Sequence, residues 1–129
     1  MIVLDTHVWL WWVSDPGMLS PPARRALEYS KRLGLCPISC WEIATKVSQG
    51  RLELDRDVGL WVTQALARPA LELLPITAEI AVAAGRLGTE GLHGDPADRL
   101  IVATARQNGV PLVTKDAALR AFSGVETIW

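Results

Sequence analysis

Short apolar runs alternate along the chain with longer segments in which apolar residues recur at helical spacing. The runs predict strands at residues 2–4, 35–38, 71–76, 111–114 and 125–129. The periodic segments predict helices at 7–14, 20–32, 39–50, 58–67, 77–87 and 95–106, with a short helix before the last strand. Strands that alternate with helices throughout favour an α/β fold, which we expect to be a three-layer α/β/α sandwich with a mainly parallel central sheet.

Capping and turn residues mark the expected helix ends. Ser20 precedes two prolines at the start of a helix, and we expect Gly34 to end that helix. Ser39 and Glu42 have the spacing of a capping box, in which the two side chains bond the backbone of a helix start. Asp95, followed by proline, marks the start of the last long helix. The expected helices therefore begin shortly after the expected strands end.

The chain has 129 residues, of which 50% are hydrophobic, and this fits one domain over residues 1–129. The first residues lack the features of a signal peptide, and no apolar run is long enough to span a bilayer, so we expect no membrane association. Cys36 and Cys40 are the only cysteines, which indicates neither a disulfide framework nor a zinc site. We therefore expect a cytoplasmic protein with free thiols.

Charge and aromatic content bear on possible partners. The formal net charge is −1, so any contact with RNA would have to be local. Trp9, Trp11 and Trp12 fall in one short segment, residues 8–13, that is apolar on every side of a helix. We expect the apolar surface of that helix to be buried, either in the interior of the domain or against a protein partner.

Four acids stand where expected strands give way to helices. Asp5 follows the first strand, and Glu42 lies in the first turn after the second. Asp98 opens the last long helix, and Asp116 follows the strand at 111–114. Because parallel strands end at one edge of a sheet, where functional crevices form, we expect these acids to make one carboxylate cluster. Each acid alone also has a structural explanation, since such residues commonly cap helices.

A carboxylate cluster has a specific chemical need. Neighbouring carboxylates repel one another unless a cation offsets their charge. Oxygen ligands without His or Cys favour Mg²⁺ or Mn²⁺ over zinc. Such ions can activate water and stabilise the leaving oxygen in phosphodiester cleavage. The cluster is therefore a candidate metal site for phosphodiester hydrolysis.

Four segments in this order resemble the PIN-domain nucleases and, more narrowly, the VapC-type toxins of type II toxin–antitoxin systems. The segments are Leu4-Asp5-Thr6-His7, Ser39-Cys40-Trp41-Glu42-Ile43, His93-Gly94-Asp95-Pro96-Ala97-Asp98-Arg99-Leu100-Ile101 and Leu112-Val113-Thr114-Lys115-Asp116. The resemblance covers the whole chain and implies a Mg²⁺- or Mn²⁺-dependent endoribonuclease that acts on tRNA or rRNA. The catalytic metal ligands that it implies are Asp5, Glu42, Asp98 and Asp116.

The resemblance also suggests auxiliary residues and partners. Thr6 and Thr114 could orient carboxylates, hold a metal-bound water or only cap helices. Arg99 could contact a phosphate, steady the cluster or face solvent. Asp95 and Asp98 can face the same way, and the family pattern makes Asp98 the inner ligand and Asp95 the cap. The implied partners are a cognate antitoxin, which would cover hydrophobic surface near the early helices, and a second copy in a homodimer.

Other functions fit the sequence less well. A response-regulator receiver needs an acceptor aspartate after a central strand, and the segment before Asp55 and Asp57 is not such a strand. A haloacid-dehalogenase-like phosphatase needs a second aspartate where His7 stands. Neither His7 nor His93 is expected to be catalytic. The remaining alternative is a non-catalytic protein-binding module of the same fold, and metal binding would distinguish the two.

Overall fold

The computed structural model describes all 129 residues and has five strands and seven α-helices. The strands are β1 (Ile2–Leu4), β2 (Leu33–Leu35), β3 (Leu71–Leu73), β4 (Leu112–Val113) and β5 (Thr127–Ile128). The helices are α1 (Thr6–Ser14), α2 (Pro21–Tyr29), α3 (Ile38–Ser48), α4 (Val58–Leu66), α5 (Ala78–Arg86), α6 (Pro96–Gln107) and α7 (Ala117–Ala121). Short 3₁₀ segments lie at Pro16–Met18 and Leu87–Glu90.

The five strands form one parallel sheet in the order β3-β2-β1-β4-β5. Leu4, the last residue of β1, is in register with Leu35 of β2 and with Val113 of β4. These three central strands therefore end level with one another. The chain leaves the sheet at the same edge after each of them, and this edge holds the acidic residues.

Helices cover both faces of the sheet, as the three-layer prediction requires. Ile2 and Leu4 point to one face, where they join a core with residues of α1, α2, α3 and α4. Val3 points to the other face and joins a core with residues of α5, α6 and α7. Successive residues of a strand face opposite ways, so one short strand serves both cores. The expected α/β/α sandwich is confirmed, and its sheet is parallel throughout.

The second strand lies earlier than predicted. It covers Leu33–Leu35 instead of 35–38, and helix α2 already ends at Tyr29, so Gly34 does not end a helix. A Cβ atom at Gly34 would lie 2.6 Å from Leu74 Cδ1 and 3.3 Å from Val3 Cγ2. Glycine at this position therefore permits close packing in the middle of the sheet. The later strands are also shorter than the apolar runs that predicted them.

Helix capping follows the sequence at Ser20 and Asp95 and departs from it at Ser39 and Glu42. Ser20 Oγ accepts a hydrogen bond from the amide of Ala23, 3.2 Å away, so this cap is confirmed. The capping box at Ser39 and Glu42 is wrong, because α3 begins at Ile38 and has no side-chain cap. Both side chains point instead toward the edge of the sheet that holds the acids.

The tryptophan-rich helix α1 is covered largely by the domain itself. Val8 and Trp9 are fully buried, and Trp9 packs edge-on against Trp61 of α4, with ring centroids 5.0 Å apart. Trp11 and Trp12 are half-buried and pack against the same core. Burial within the domain thus accounts for much of the apolar surface of α1. No helix in the structure combines the length and apolar character needed to cross a membrane.

Candidate active site

Asp5 is the buried centre of the site. It directly follows β1, and it caps α1, because its Oδ1 accepts a hydrogen bond from the amide of Thr6 at 2.8 Å. Its Oδ2 accepts a second hydrogen bond, of 2.7 Å, from the hydroxyl of Thr114 just after β4. The residue is only 3% exposed. One carboxylate therefore joins the ends of two neighbouring strands and also starts a helix.

Thr6 connects this centre to helix α3. Its hydroxyl donates a hydrogen bond to Glu42 Oε1 and lies 2.8 Å from Ser39 Oγ. Thr6 and Ser39 are both buried. Burial raises the pKa of Glu42, and the charge of Asp5 adds to this, whereas the hydrogen bond from Thr6 opposes it. The carboxyl group of Glu42 is thus held toward Asp5 despite the repulsion between them.

The two acids at the start of α6 occupy different environments. Asp95 is exposed and caps the helix, since its Oδ1 accepts a hydrogen bond of 2.7 Å from the amide of Ala97. Asp98 is half-buried, and burial together with nearby carboxylates raises its pKa to about 7. The carboxylates that contribute are, in decreasing order, Asp5, Glu42, Asp116 and Asp95. Asp98 is thus the inner acid of the pair, and Asp95 is the cap.

Asp116 completes the cluster from the segment between β4 and α7. Its Oδ1 accepts a hydrogen bond from the amide of Leu119 at 3.0 Å and so caps α7. Its own amide donates to Thr114 Oγ1, also at 3.0 Å. Thr114 therefore contacts both Asp5 and the backbone of Asp116. This accounts for a buried threonine at the end of a strand, and it gives Thr114 a structural part in the cluster.

The electrostatic environment of the cluster is strongly negative. No cationic side chain and no hydrogen bond offsets the repulsions that raise the pKa of Asp98. Lys46 lowers the pKa of Glu42 from a distance, without an ion pair within 4.0 Å. The four predicted acids are thus neighbours, yet no three His, Cys, Asp or Glu side chains converge into a ready-made metal-ligand set.

Arg99 lies apart from the cluster. It lines a cavity of about 210 Å³ together with Ala81, Ala84 and Gly85 of α5. Its Nε atom is buried without a hydrogen-bond partner. Arg99 is absent from the groups that influence Asp98, although the two residues are adjacent in sequence. Adjacent residues of a helix point in different directions, so the geometry gives Arg99 no contact with the carboxylates.

His7 is a part of the site that sequence reasoning missed. Its Nε2 accepts a hydrogen bond of 3.0 Å from the amide of Lys115, and its Nδ1 lies 3.6 Å from Asp5 Oδ2. Burial lowers the pKa of His7 and outweighs the opposing effect of the nearby acids. The imidazole therefore stays neutral at physiological pH. Its partner is 108 residues away in sequence, so only the fold reveals the contact.

A larger cavity lies away from the carboxylates. It has a volume of about 650 Å³ and lies beside α1, α4 and the connection at residues 52–56. Half of its lining is hydrophobic, including Leu10, Trp11 and Trp61. Charged side chains, among them Arg56 and Arg68, supply part of the remainder. None of the four clustered acids lines this cavity, although Trp11, which does line it, also packs against His7.

Comparison with known proteins identifies the family. The family model for the PIN domain matches residues 2–125, so the chain belongs to the PIN-domain family. Among curated proteins, the chain is 39% identical to Ribonuclease VapC22 of Mycobacterium tuberculosis over 130 residues. That alignment covers 99% of this chain and 98% of the relative. Within the family, the similarity is therefore to VapC-type proteins.

Solved structures agree on the fold. The crystal structure of VapBC2 from Rickettsia felis, bound to a DNA fragment from its promoter, matches with a TM-score of 0.73 and 20% identity, over 98% of this chain and 97% of that one. The DNA-bound VapBC from Salmonella typhimurium matches with a TM-score of 0.71 and 19% identity, over 98% and 95%. At these identities the likeness establishes the architecture.

Proposed function

We propose that this chain is a VapC-type toxin, an endoribonuclease that hydrolyses RNA phosphodiester bonds with Mg²⁺ or Mn²⁺. The observation that carries the proposal is the gathering of Asp5, Glu42, Asp98 and Asp116 at one edge of the sheet, where no cationic side chain offsets the rise in the pKa of Asp98. Such uncompensated charge destabilises a fold, and it is useful at a site that binds a cation and a phosphodiester. The ribonuclease name of the 39% identical relative supports the same activity.

The residues fit a divalent metal by their chemistry. All four acids offer carboxylate oxygens, the ligands that Mg²⁺ and Mn²⁺ prefer. The pKa of Asp98, raised to about 7, reflects a deficit of positive charge that a cation would remove. When bound, the ion would supply the positive charge that activates water and stabilises the leaving oxygen.

The protein's own part in the reaction is to hold the carboxylates. Thr114 fixes one oxygen of Asp5, and Thr6 fixes the carboxyl group of Glu42. Hydrogen bonds of this kind orient ligands and commonly change metal affinity by about 10- to 100-fold. Lys46 and Lys115 lie close enough to influence the pKa of His7. In the proposal, these two lysines contact RNA phosphates.

The proposal includes two protein partners. A cognate antitoxin would bind next to α1, where the cavity of about 650 Å³ offers apolar side chains together with charged side chains of both signs. The Rickettsia and Salmonella structures are of VapBC assemblies, which supports a partner of this type. A homodimer, a tRNA or rRNA substrate and a cytoplasmic location remain predictions from the sequence.

The decisive experiment compares metal-dependent cleavage across matched variants. The purified protein is incubated with total small RNA in Mg²⁺, in Mn²⁺ and in EDTA, beside Asp5→Asn and Asp98→Asn. Asp57→Asn is the matched control, because Asp57 caps α4 by accepting from the Leu60 amide outside the cluster, and asparagine also caps helices. We expect discrete cleavage by the wild type and the control only, and none in EDTA.

The alternative of a non-catalytic binding module predicts a different result. Such a module would neither cleave RNA nor bind Mn²⁺ at the cluster. Cleavage that persists in both cluster variants would point to a contaminating nuclease and would contradict the proposal. Mn²⁺ binding is measured by calorimetry on the same samples. Binding without cleavage would indicate a metal site whose substrate is not yet identified, and no binding would indicate that the fold has no metal site.

A further inference from the structure

We infer that His7 is a positioning residue that holds the Asp116 segment against Asp5. The inference rests on the proposed function insofar as the held groups are metal ligands. The hydrogen bond between the Lys115 amide and His7 can itself be measured without RNA and without metal. His7 stands on α1, and the segment that it holds lies between β4 and α7.

The hydrogen bonds of the imidazole define its role. Nε2 accepts from the amide of Lys115, so this nitrogen carries no proton and the ring proton is on Nδ1. The Nδ1 atom faces Asp5 Oδ2 at 3.6 Å, the same oxygen that accepts from Thr114. His7 therefore touches the carboxylate of one strand end and the backbone of another. The amide that it binds immediately precedes Asp116.

The hydrogen bond between Lys115 and His7 is a second connection between α1 and the segment after β4, beside the one from Thr114 to Asp5. Residues 114–116 form the short connection that delivers Asp116 to the cluster. Thr114, the first residue of this connection, donates its hydroxyl to Asp5 Oδ2, and its Oγ1 also accepts from the amide of Asp116. The middle residue, Lys115, is held only by His7 among the hydrogen bonds of this segment. Without His7, the amide of Lys115 would lose its protein acceptor.

Aromatic rings fix the orientation of His7. Trp11, one turn later on α1, contacts the imidazole edge-on with ring centroids 5.0 Å apart. Trp129, after β5, contacts it from another side at 6.4 Å. The two indole rings are 6.0 Å from each other. This packing restricts the imidazole, so that the Nε2 atom is presented to Lys115 with little loss of side-chain freedom.

The test uses the different reach of glutamine and asparagine. In His7→Gln the side-chain oxygen extends about as far as Nε2 and can accept from Lys115, whereas in His7→Asn the amide group reaches only the Nδ1 position. Hydrogen exchange of the Lys115 amide is measured by NMR on the metal-free chain. We expect exchange at least about 10-fold faster in His7→Asn and His7→Ala than in the wild type, with protection restored in His7→Gln.

A second measurement tests whether the hydrogen bond between His7 and Lys115 affects the proposed metal ligands. The Mn²⁺ dissociation constant, measured by electron paramagnetic resonance without RNA, should rise about 10-fold or more in His7→Asn and should return toward the wild-type value in His7→Gln. Trp12→Phe is the packing control, because it reduces another half-buried indole of α1, one that stacks on Arg68 and has no ring contact with His7. We expect it to retain the protection of Lys115.

The outcomes separate this inference from the proposed function. Equal Lys115 exchange in the Gln and Asn variants, or unchanged Mn²⁺ affinity despite faster exchange, would overturn the positioning role. Loss of protection in Trp12→Phe to the same extent would assign the effect to the packing of α1 and would also overturn it. A wild-type chain that binds no Mn²⁺ would refute the metal-dependent function, while the exchange data would still decide whether His7 holds the segment.

Discussion

Replacing Asp98 by asparagine should stabilise the metal-free protein at alkaline pH. Asp98 is half-buried, and its pKa is raised from an ordinary value of 3.8 to about 7 by burial and by neighbouring carboxylates. Ionising this group in the folded chain is therefore unfavourable. Asparagine has nearly the same shape and carries no charge. Removing a charge that is uncompensated in the folded state should raise the free energy of unfolding.

The sign and size of this effect follow from proton linkage. Between pH 3.8 and about 7 the folded chain binds the Asp98 proton more tightly than the unfolded chain does, so stability falls as the pH rises through this window. A difference of about three pKa units corresponds to at most about 4 kcal/mol. Because the carboxyl group is only half-buried and its neighbours can move apart, we expect about 1–2 kcal/mol at pH 8.

The assay is urea denaturation of wild type and Asp98→Asn in EDTA at intervals from pH 4 to pH 8. The two proteins should have similar stability near pH 4, and the variant should become more stable up to pH 7, with a constant difference above that. Asp57→Asn, exposed and outside the cluster, should show no such growth. Saturating Mn²⁺ should stabilise the wild type more than the variant. A variant that is less stable than the wild type at pH 8 in EDTA would refute the reasoning.

Three further substitutions test other parts of the structure. Thr6→Val removes the hydrogen bond to Glu42 and should weaken Mn²⁺ binding about 10-fold in a calorimetric titration. Unchanged affinity in this variant would contradict an orienting role for the Thr6 hydroxyl. Gly34→Ala should lower the free energy of unfolding by about 1–3 kcal/mol in urea, because its Cβ would lie 2.6 Å from Leu74 Cδ1, and an unchanged midpoint would mean that Leu74 can move aside. Ser20→Ala should cost about 1 kcal/mol in the same assay, through loss of the cap on α2, while Ser20→Asp should retain most of that stability.

The sequence contained enough information for the layers and for the positions of the acids. Apolar periodicity extends over several turns of each long helix, so the helices were predictable in number and order. The strands have only two or three residues each, and here the pattern was too short to fix their ends. Gly34 shows the consequence, because a glycine after a basic helix resembles a helix stop, and only the packing of Leu74 shows why it lies inside a strand.

The failed capping box at Ser39 and Glu42 has a physical cause of the same kind. Local spacing correctly identified two residues at the start of a helix, and it could not identify their partner. Thr6 lies 33 residues before Ser39, and its buried hydroxyl competes with the backbone for both side chains. His7 escaped prediction for the same reason. Contacts between strand ends depend on the order of strands in the sheet, and this order is not encoded in any one segment.

The same carboxylates serve the fold and the site, and this explains how the chain tolerates their repulsion. Asp5 and Asp116 each use one oxygen to cap a helix, an interaction that commonly contributes about 1 kcal/mol. The second oxygen of Asp5 receives the Thr114 hydroxyl. Asp98 has no such compensation, and it bears the largest rise in pKa within the cluster. The structure thus offsets the cost of its negative charge at the helix caps and concentrates the remaining cost at one carboxyl group, where a bound cation would have the greatest effect.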